Sequence, residues 1–130
     1  MGNSDDSGRW GEEMAARLLE RAGFKILGRR VRVGTRDELD LVARDGDALV
    51  FVEVKTRRTE HFGRPVSAVD RKKRHTMSRA AVRYLAKLKY PRVIFRFDVV
   101  EVIGAPGDGA PELRHIRNAF QLDRRYRLPH

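Results

Sequence analysis

Two short segments in which acidic residues alternate with apolar residues constrain the fold of this chain more than any other feature. They read Asp37-Glu38-Leu39-Asp40-Leu41-Val42 and Val50-Phe51-Val52-Glu53-Val54-Lys55. Successive side chains of a β-strand point to opposite faces. The first segment therefore predicts a strand in which Glu38 and Asp40 share one face, while Leu39 and Leu41 take the other.

An Asp-Gly step between the two segments indicates that they form a β-hairpin. With Asp45 and Gly46 as the turn, Glu38 lies opposite Glu53, and Asp40 lies diagonal to Glu53. Like charges directly opposite each other on a sheet are destabilising by about 0.2 to 1 kcal/mol. Three crowded carboxylates therefore need protons, a cation or open solvent around them.

A divalent cation would resolve this repulsion. Mg2+ prefers carboxylate oxygens and is usually held by one or two carboxylates together with waters and substrate phosphates. Asp40 and Glu53 are thus candidate metal ligands, and Lys55, on the same face as Glu53, is a candidate to position a water or to stabilise charge on the phosphate. The pattern predicts a phosphodiesterase site. The alternative interpretation is an exposed sheet face with ordinary solvated charges.

The chain carries 28 Lys and Arg residues against 18 Asp and Glu residues, a formal net charge of +10. The excess is concentrated between residues 57 and 92 and begins directly after the second acidic segment. Clustered cations bind a phosphate backbone by counterion release, without sequence preference. We therefore expect nucleic acid as the partner; the alternative is a solvated basic helix. The candidate phosphate-binding residues are Arg57, Arg58, Lys72, Lys73 and Arg74.

Composition excludes several other classes of protein. The chain contains no cysteine, which excludes disulfides, thiolate metal sites and cysteine nucleophiles and fits a reducing compartment. No apolar run approaches the ~20 residues of a membrane helix. The length of 130 residues suits one domain with its own core. We expect a soluble cytoplasmic protein that does not engage membranes.

Periodicity predicts the remaining elements. Apolar residues at helical spacing from Trp10 to Ala22 predict a first helix that Gly23 ends. Further elements are expected as strands over 24–33, 93–103 and 113–119 and as a second helix over 67–88.

Two charged positions within these elements need partners. Lys73 interrupts the inner stripe of the second helix, which includes Met77 and Leu88, so its ammonium must reach an acidic site or solvent. Arg96 and Asp98 share one face of a later strand. We expect these two residues to form an internal ion pair that supports the sheet.

Several motifs occur together along the chain and resemble one known family. They are Gly11-Glu12-x-x-Ala15, Glu38-Leu39-Asp40-Leu41-Val42, residues 51–57 with Glu53-Val54-Lys55, Phe62-Gly63, Lys73, Arg96-Phe97-Asp98 and Asn118-Ala119-Phe120. This set resembles the YraN-like family of bacterial proteins, and Asp40 with Glu53-Val54-Lys55 resembles the Asp…Glu-x-Lys signature of the PD-(D/E)XK nuclease fold. Asp37 departs from the glycine usual in the family, and alternation predicts that it points away from the acidic patch.

The resemblance implies a fold and domain boundaries. We expect one α/β domain of the restriction-endonuclease-like fold over residues 8–120, with a central mixed β-sheet flanked by helices. A flexible N-terminal tail over 1–7 and a basic C-terminal tail over 121–130 complete the chain.

The resemblance also implies roles for individual residues. Asp40 and Glu53 would bind Mg2+ or Mn2+ with help from the Val54 carbonyl, and Lys55 would activate water. Glu12 and Glu38 would support the metal shell. For Glu12 the alternative is a first-turn glutamate favoured by the helix dipole.

The favoured function is metal-dependent hydrolysis of phosphodiester bonds in DNA. Branched or flap substrates and a homodimer are suggested only by analogy with junction resolvases of this fold. The alternative is a noncatalytic DNA- or RNA-binding accessory protein that retains the nuclease fold. A third interpretation, a protein interaction module for acidic partners, predicts little salt-sensitive affinity for nucleic acid.

Overall fold

A computed structural model describes residues 4–58 and 69–129, with side chains described from residue 8. These residues form two helices and five strands, in the order that the sequence predicts. They are α1 (Ser4–Arg21), β1 (Lys25–Val33), β2 (Asp37–Asp45), β3 (Ala48–Arg57), α2 (Arg71–Lys87), β4 (Ile94–Ile103) and β5 (Glu112–Phe120).

The five strands form one sheet in sequence order, from β1 at one edge to β5 at the other. Strands β3 and β4 are parallel, and every other neighbouring pair is antiparallel. A parallel pair needs a crossover, and α2 lies in the connection between β3 and β4. The chain is thus the single α/β domain with a central mixed sheet and flanking helices that the sequence predicts.

The core consists of two apolar clusters, one on each face of the sheet. On the α1 side, Ala15, Ala16 and Leu19 pack on strand residues that include Leu41, Val50, Val52, Val100 and Val102. On the α2 side, Met77, Ala80, Ala81 and Leu85 pack on residues that include Leu39, Val42, Phe51, Phe97 and Val99. Alternation along β3 therefore directs odd-numbered residues toward α2. Burial of each of the larger side chains contributes about 1.5 to 3 kcal/mol.

Helix α2 is shorter than predicted at its carboxyl end. Leu85 is buried there, whereas Leu88, predicted for the inner stripe, is 50% exposed. The helix ends at Lys87, so the helical period does not extend to Leu88. At the other end Asp70 is the N-cap and accepts a hydrogen bond from the Lys73 amide at 2.7 Å. The predicted start at Ser67 lies outside the described residues.

The β2–β3 hairpin turns one residue later than predicted. Asp45 pairs with Ala48, so Gly46 and Asp47 form the two-residue turn, with Gly46 at a φ of 59°. The predicted turn at Asp45 and Gly46 is wrong. The whole register consequently shifts by two positions, which brings Asp40 rather than Glu38 to the level of Glu53.

The alternation of side chains along β2 breaks at Asp40. Leu39 packs in the α2-side cluster and Leu41 in the α1-side cluster, so the prediction that they share a face is wrong. Arg30 of β1 lies opposite Asp40, between the pairs Val31–Leu39 and Arg29–Leu41. Its φ of 47° is in the left-handed region, so β1 is irregular at the same level.

The predicted ion pair between Arg96 and Asp98 is confirmed. Arg96 Nε lies 2.9 Å from Asp98 Oδ1, and the carboxylate also contacts His115 Nε2 at 2.8 Å and accepts from the Asn118 amide at 2.9 Å. Burial opposes ionisation of Asp98, but the hydrogen bonds from His115, Arg96 and Asn118 outweigh it and hold the pKa of this carboxyl below its usual value. The group ties β5 to β4.

Both segments predicted as tails contain residues that the structure describes. Helix α1 begins at Ser4, within the segment 1–7. Residues 121–129 pack against α2, with Leu122 and Leu128 on the α2-side cluster. No helix among the described residues has the length and apolar character needed to cross a membrane.

Gly11 allows α1 to approach β3. A Cβ at this position would lie 2.0 Å from Thr56 Oγ1 and 3.2 Å from Thr56 Cβ. We predict that Gly11→Ala lowers the free energy of unfolding by about 1 to 3 kcal/mol, because the stiff threonine cannot yield without backbone movement. Urea denaturation measures the change.

Gly8→Ala is the matched control, since its Cβ would meet only Arg30 Nη2 at 3.4 Å. It is expected to be neutral or slightly stabilising, as alanine is in a helix interior. Thr56→Ala should restore much of the stability lost in Gly11→Ala. Equal stabilities of the two alanine variants would contradict the tight approach.

Candidate active site

Asp40 and Glu53 lie together where the pairing of β2 with β3 ends. The last regular pair is Leu41 with Val52, and Asp40 and Glu53 are the next residues along the two strands. Beyond that pair the Asp40 side chain, and not a backbone carbonyl of β2, accepts the hydrogen bond of the Val54 amide. The distance from the Val54 nitrogen to Asp40 Oδ2 is 2.9 Å. One carboxylate is thereby fixed beside the other.

The proximity of the two carboxyls changes the ionisation of Asp40. Burial raises its pKa to about 7, the charge of Glu53 and a hydrogen bond shared with Glu53 act in the same direction, and the Val54 amide and Lys73 oppose them. Near neutral pH Asp40 therefore takes up and releases a proton. Two carboxylates that cannot both ionise without a counter-charge form a natural cation site.

Lys73 supplies part of that counter-charge from α2. Its Nζ lies 3.2 Å from Glu53 Oε2, with side-chain exposures of 41% for Lys73 and 12% for Glu53. Of the two surroundings that the sequence analysis left open for Lys73, an acidic site and solvent, the structure shows contact with an acid. The lysine also carries the amide that Asp70 caps, so the start of α2 fixes its position.

Lys55 and the Val54 carbonyl border the same site. Lys55 is half-buried and follows Glu53 by two residues on the α2 side of β3. In a strand the N–H and C=O of one residue point toward the same neighbour. Since the Val54 amide faces Asp40, its carbonyl is directed to that side as well, where a cation between the carboxylates would meet it.

Glu12 and Glu38 do not join this carboxylate pair. Glu12 belongs to α1 and accepts a hydrogen bond from Arg30 Nε at 2.6 Å. Glu38 is exposed and pairs in register with Arg32 of β1; its neighbour Leu39 packs on the α2 side, so alternation directs Glu38 to the opposite face. Across residues 8–58 and 69–129 no three Asp, Glu or His side chains are grouped closely enough to hold a metal ion.

The predicted phosphate-binding residues fall into two groups. Lys72 and Arg74 are exposed on either side of Lys73 at the start of α2, and Arg58 is exposed just after β3. Arg57 is half-buried, with its Nε 3.3 Å from Glu101 Oε2. Arg57 is therefore held by an acid rather than directed to solvent.

Glu101 is a charged residue beside the site that the sequence analysis missed. It is 2% exposed, and it pairs in register with Lys55 across the parallel strands. Arg57 and Arg114 Nη1, the latter at 3.6 Å, contact its carboxylate. An acid between Val100 and Val102, in the otherwise apolar run 99–103, was the available signal, since a buried charge requires partners.

Comparison with known proteins places the chain in a family. Residues 11–102 match the model described as Uncharacterised protein family UPF0102. The chain belongs to the UPF0102 (YraN-like) family. A UPF0102 protein of Symbiobacterium thermophilum is 47% identical over 113 residues, which cover 87% of this chain and 94% of that relative. A UPF0102 protein of Nocardia farcinica is 44% identical over 122 residues, covering 92% and 93%. The matched range of this UPF0102 protein includes Asp40, Glu53, Lys55 and Lys73.

The raised pKa of Asp40 predicts a specific pH dependence of stability. Between its usual value near 3.8 and about 7, the folded protein binds a proton at Asp40 that the unfolded chain does not, so the free energy of unfolding falls as pH rises through this window. Asp40→Asn mimics the protonated carboxyl. Between pH 5 and pH 8, in metal-chelating buffer, we expect the free energy of unfolding to fall by about 1 to 3 kcal/mol less in Asp40→Asn than in the wild type.

Urea denaturation at the two pH values measures this difference. Glu20→Gln, at an exposed position of α1, is the matched control and should retain the wild-type dependence. The same pH dependence in Asp40→Asn as in the wild type would show that Asp40 does not hold the proton.

Proposed function

We propose that this UPF0102 protein binds DNA and hydrolyses phosphodiester bonds at the Asp40–Glu53 pair with Mg2+ or Mn2+. The observation that carries the proposal is the placement of two carboxyls from adjacent strands side by side, with the pKa of Asp40 raised to about 7. Among the residues that the structure describes, Lys73 is the one cation at ion-pair distance of Glu53. In an ion pair with a purely structural role, the buried charges would be balanced by more partners.

The donor groups fit a hard divalent cation. Asp40, Glu53 and the Val54 carbonyl would hold it, and all three supply oxygen, the ligand atom that Mg2+ and Mn2+ prefer. When bound, such an ion neutralises phosphate charge and lowers the pKa of a coordinated water. Glu12 and Glu38 are left out of this proposal because of where their side chains lie.

The residues of the chain have distinct tasks in the hydrolysis. Lys55 orients the attacking water and stabilises the negative charge that builds on the phosphate oxygens. The attacking water releases a proton to solvent as its oxygen forms a bond to phosphorus. The bond to the leaving oxygen breaks, and that oxygen takes up a proton from solvent. Lys73, because it is 41% exposed, can exchange Glu53 for a phosphate oxygen of the substrate.

The net charge of +10 supports a polyanionic substrate and a strong dependence of binding on salt. DNA is preferred over RNA, and branched or flap DNA and a homodimer rest on analogy with junction resolvases. We expect the activity in the cytoplasm, since a chain without cysteine suits a reducing compartment.

A noncatalytic nucleic-acid-binding protein is the second candidate. It is favoured by the Lys73–Glu53 contact, which gives the carboxylate pair a cation of its own, and by the lack of a third acidic ligand in the described ranges 8–58 and 69–129. Such a protein would keep the basic surface and would need no metal.

Cleavage of a panel of labelled DNAs tests the proposal. The panel contains single-stranded, duplex, flap and four-way DNA, with an RNA strand alongside. Asp40→Asn and Glu53→Gln should each lower the Mg2+-dependent rate at least ~100-fold, and Lys55→Ala by a similar factor, because each removes a group that acts on the reacting phosphate. Affinity for the DNA should change little.

Glu20→Gln, prepared by the same purification, is the control for a general effect of substitution and should cleave at the wild-type rate. Lys55→Ala is the control for a contaminating nuclease. Cleavage that persists in Asp40→Asn and Glu53→Gln would contradict the hydrolase. Tight, salt-sensitive binding with no cleavage under any metal would favour the second candidate.

A further inference from the structure

A basic groove lies between the start of α2 and the residues that follow β5. It has a volume of about 780 Å3. Its lining residues come from three places: the first turn of α2, the end of β5 and the segment that follows β5. They are Arg71, Arg74, Ala119, Phe120, Gln121, Leu122, Asp123, Arg124 and Arg125.

The segment after β5 is docked onto α2 by specific contacts. The Asp123 amide donates to Ser78 Oγ at 2.9 Å, and Ser78 is fully buried in the helix. The Tyr126 hydroxyl lies 3.3 Å from His75 Nε2, and the two rings are 5.3 Å apart. A serine and a histidine of α2 are thus used to hold the end of the chain.

This docking determines which charges line the groove. Asp123 is bound by Arg125, through its side chain at 3.0 and 3.1 Å and its amide at 2.9 Å, and these bonds hold the pKa of Asp123 below its usual value. The negative charge of Asp123 is thereby balanced by Arg125. Arg71, Arg74 and Arg124 are exposed, and none of them has an acidic partner among the described residues.

The groove and the active site share one stretch of helix. Arg71 and Arg74 are three residues apart and lie on the same side of the first turn of α2. Lys73, between them in sequence, is directed to Glu53 instead. A chain of phosphates that runs along the start of α2 would pass from the arginines to Lys73 and on to the carboxylate pair.

We propose that this groove binds the sugar–phosphate backbone of the nucleic-acid substrate beside the bond to be cut, with Arg71 and Arg74 on one wall and Arg124 on the other. The inference rests on the proposed function for the identity of the ligand. It adds that the docked C-terminal segment forms part of the binding surface. Exposed arginines around a polar groove suit phosphate oxygens, which they bind as bidentate donors.

Binding measured without catalysis tests the groove. The probe is a short fluorescein-labelled DNA duplex, titrated in EDTA at several salt concentrations and followed by anisotropy. The variant combines Arg71→Gln, Arg74→Gln and Arg124→Gln. A plot of log affinity against log salt should be less steep for this variant, with a slope smaller in magnitude by about 2 to 3 than that of the wild type. Its affinity at moderate salt should fall about tenfold or more.

The control variant removes the same charge from the far edge of the sheet. Lys25, Arg32 and Arg44 are exposed on β1 and β2, and the three glutamine substitutions there should leave the slope near the wild-type value. Arg124→Gln alone should lower the slope by about 1, which tests the C-terminal wall even if the triple variant folds poorly.

Three results would contradict the proposal that the groove binds the nucleic-acid backbone. They are no binding by the wild type, equal slopes in the two triple variants, or displacement of the DNA by polyglutamate as effectively as by unlabelled DNA. The last result would identify a general polyanion surface. Because EDTA abolishes metal-dependent cleavage, these outcomes are independent of whether Asp40 and Glu53 support hydrolysis.

Discussion

The hydrogen bond from the Val54 amide to the Asp40 carboxylate is the contact on which the site depends. It replaces a backbone bond of the sheet with a side-chain oxygen and so places an acid between two separating strands. Glu53 is then held beside Asp40 by the strand itself. Because burial and the neighbouring Glu53 raise its pKa, Asp40 ionises only near pH 7 unless a cation is present.

The other buried acids of the domain show what structural compensation looks like. Asp37 receives two hydrogen bonds of 2.8 Å from Arg79, and these bonds keep the pKa of Asp37 below its usual value. Asp98 has Arg96, His115 and a backbone amide, and Glu101 has two arginines. Each of these acids links at least two elements, and Glu101 of β4 contacts both β3 and β5. Within the described ranges the Asp40–Glu53 pair has one ion-pair partner, Lys73, so its charge is less well balanced than that of the other three acids.

The sequence predicted which acids meet, but not all of their surroundings. The predicted hairpin between the two acidic segments was enough to bring Asp40 to Glu53, because the error in register was only two residues. The alternation rule failed for Glu38 because it assumed a regular strand, whereas β1 and β2 are irregular at the level of Arg30 and Asp40. No local sequence pattern indicates that the backbone of Arg30 lies in the left-handed region.

Other parts of the fold were predictable to different degrees. Helix and strand order followed from apolar periodicity, and Lys73 could be assigned to an acidic site because a lysine in a core-facing stripe needs a partner. The docking of the C-terminal segment could not be predicted, since it depends on Ser78 and His75, which look like ordinary polar positions of α2. Their role is visible only when the end of the chain lies against them.

Calorimetric titration of the protein with Mn2+ near pH 7.5 tests the central claim most directly, because it asks whether the two carboxylates take up a cation together. The account predicts one Mn2+ bound per chain, with binding abolished in both Asp40→Asn and Glu53→Gln and retained in Glu20→Gln. Equal Mn2+ binding by the wild type and the Glu53→Gln variant would contradict it.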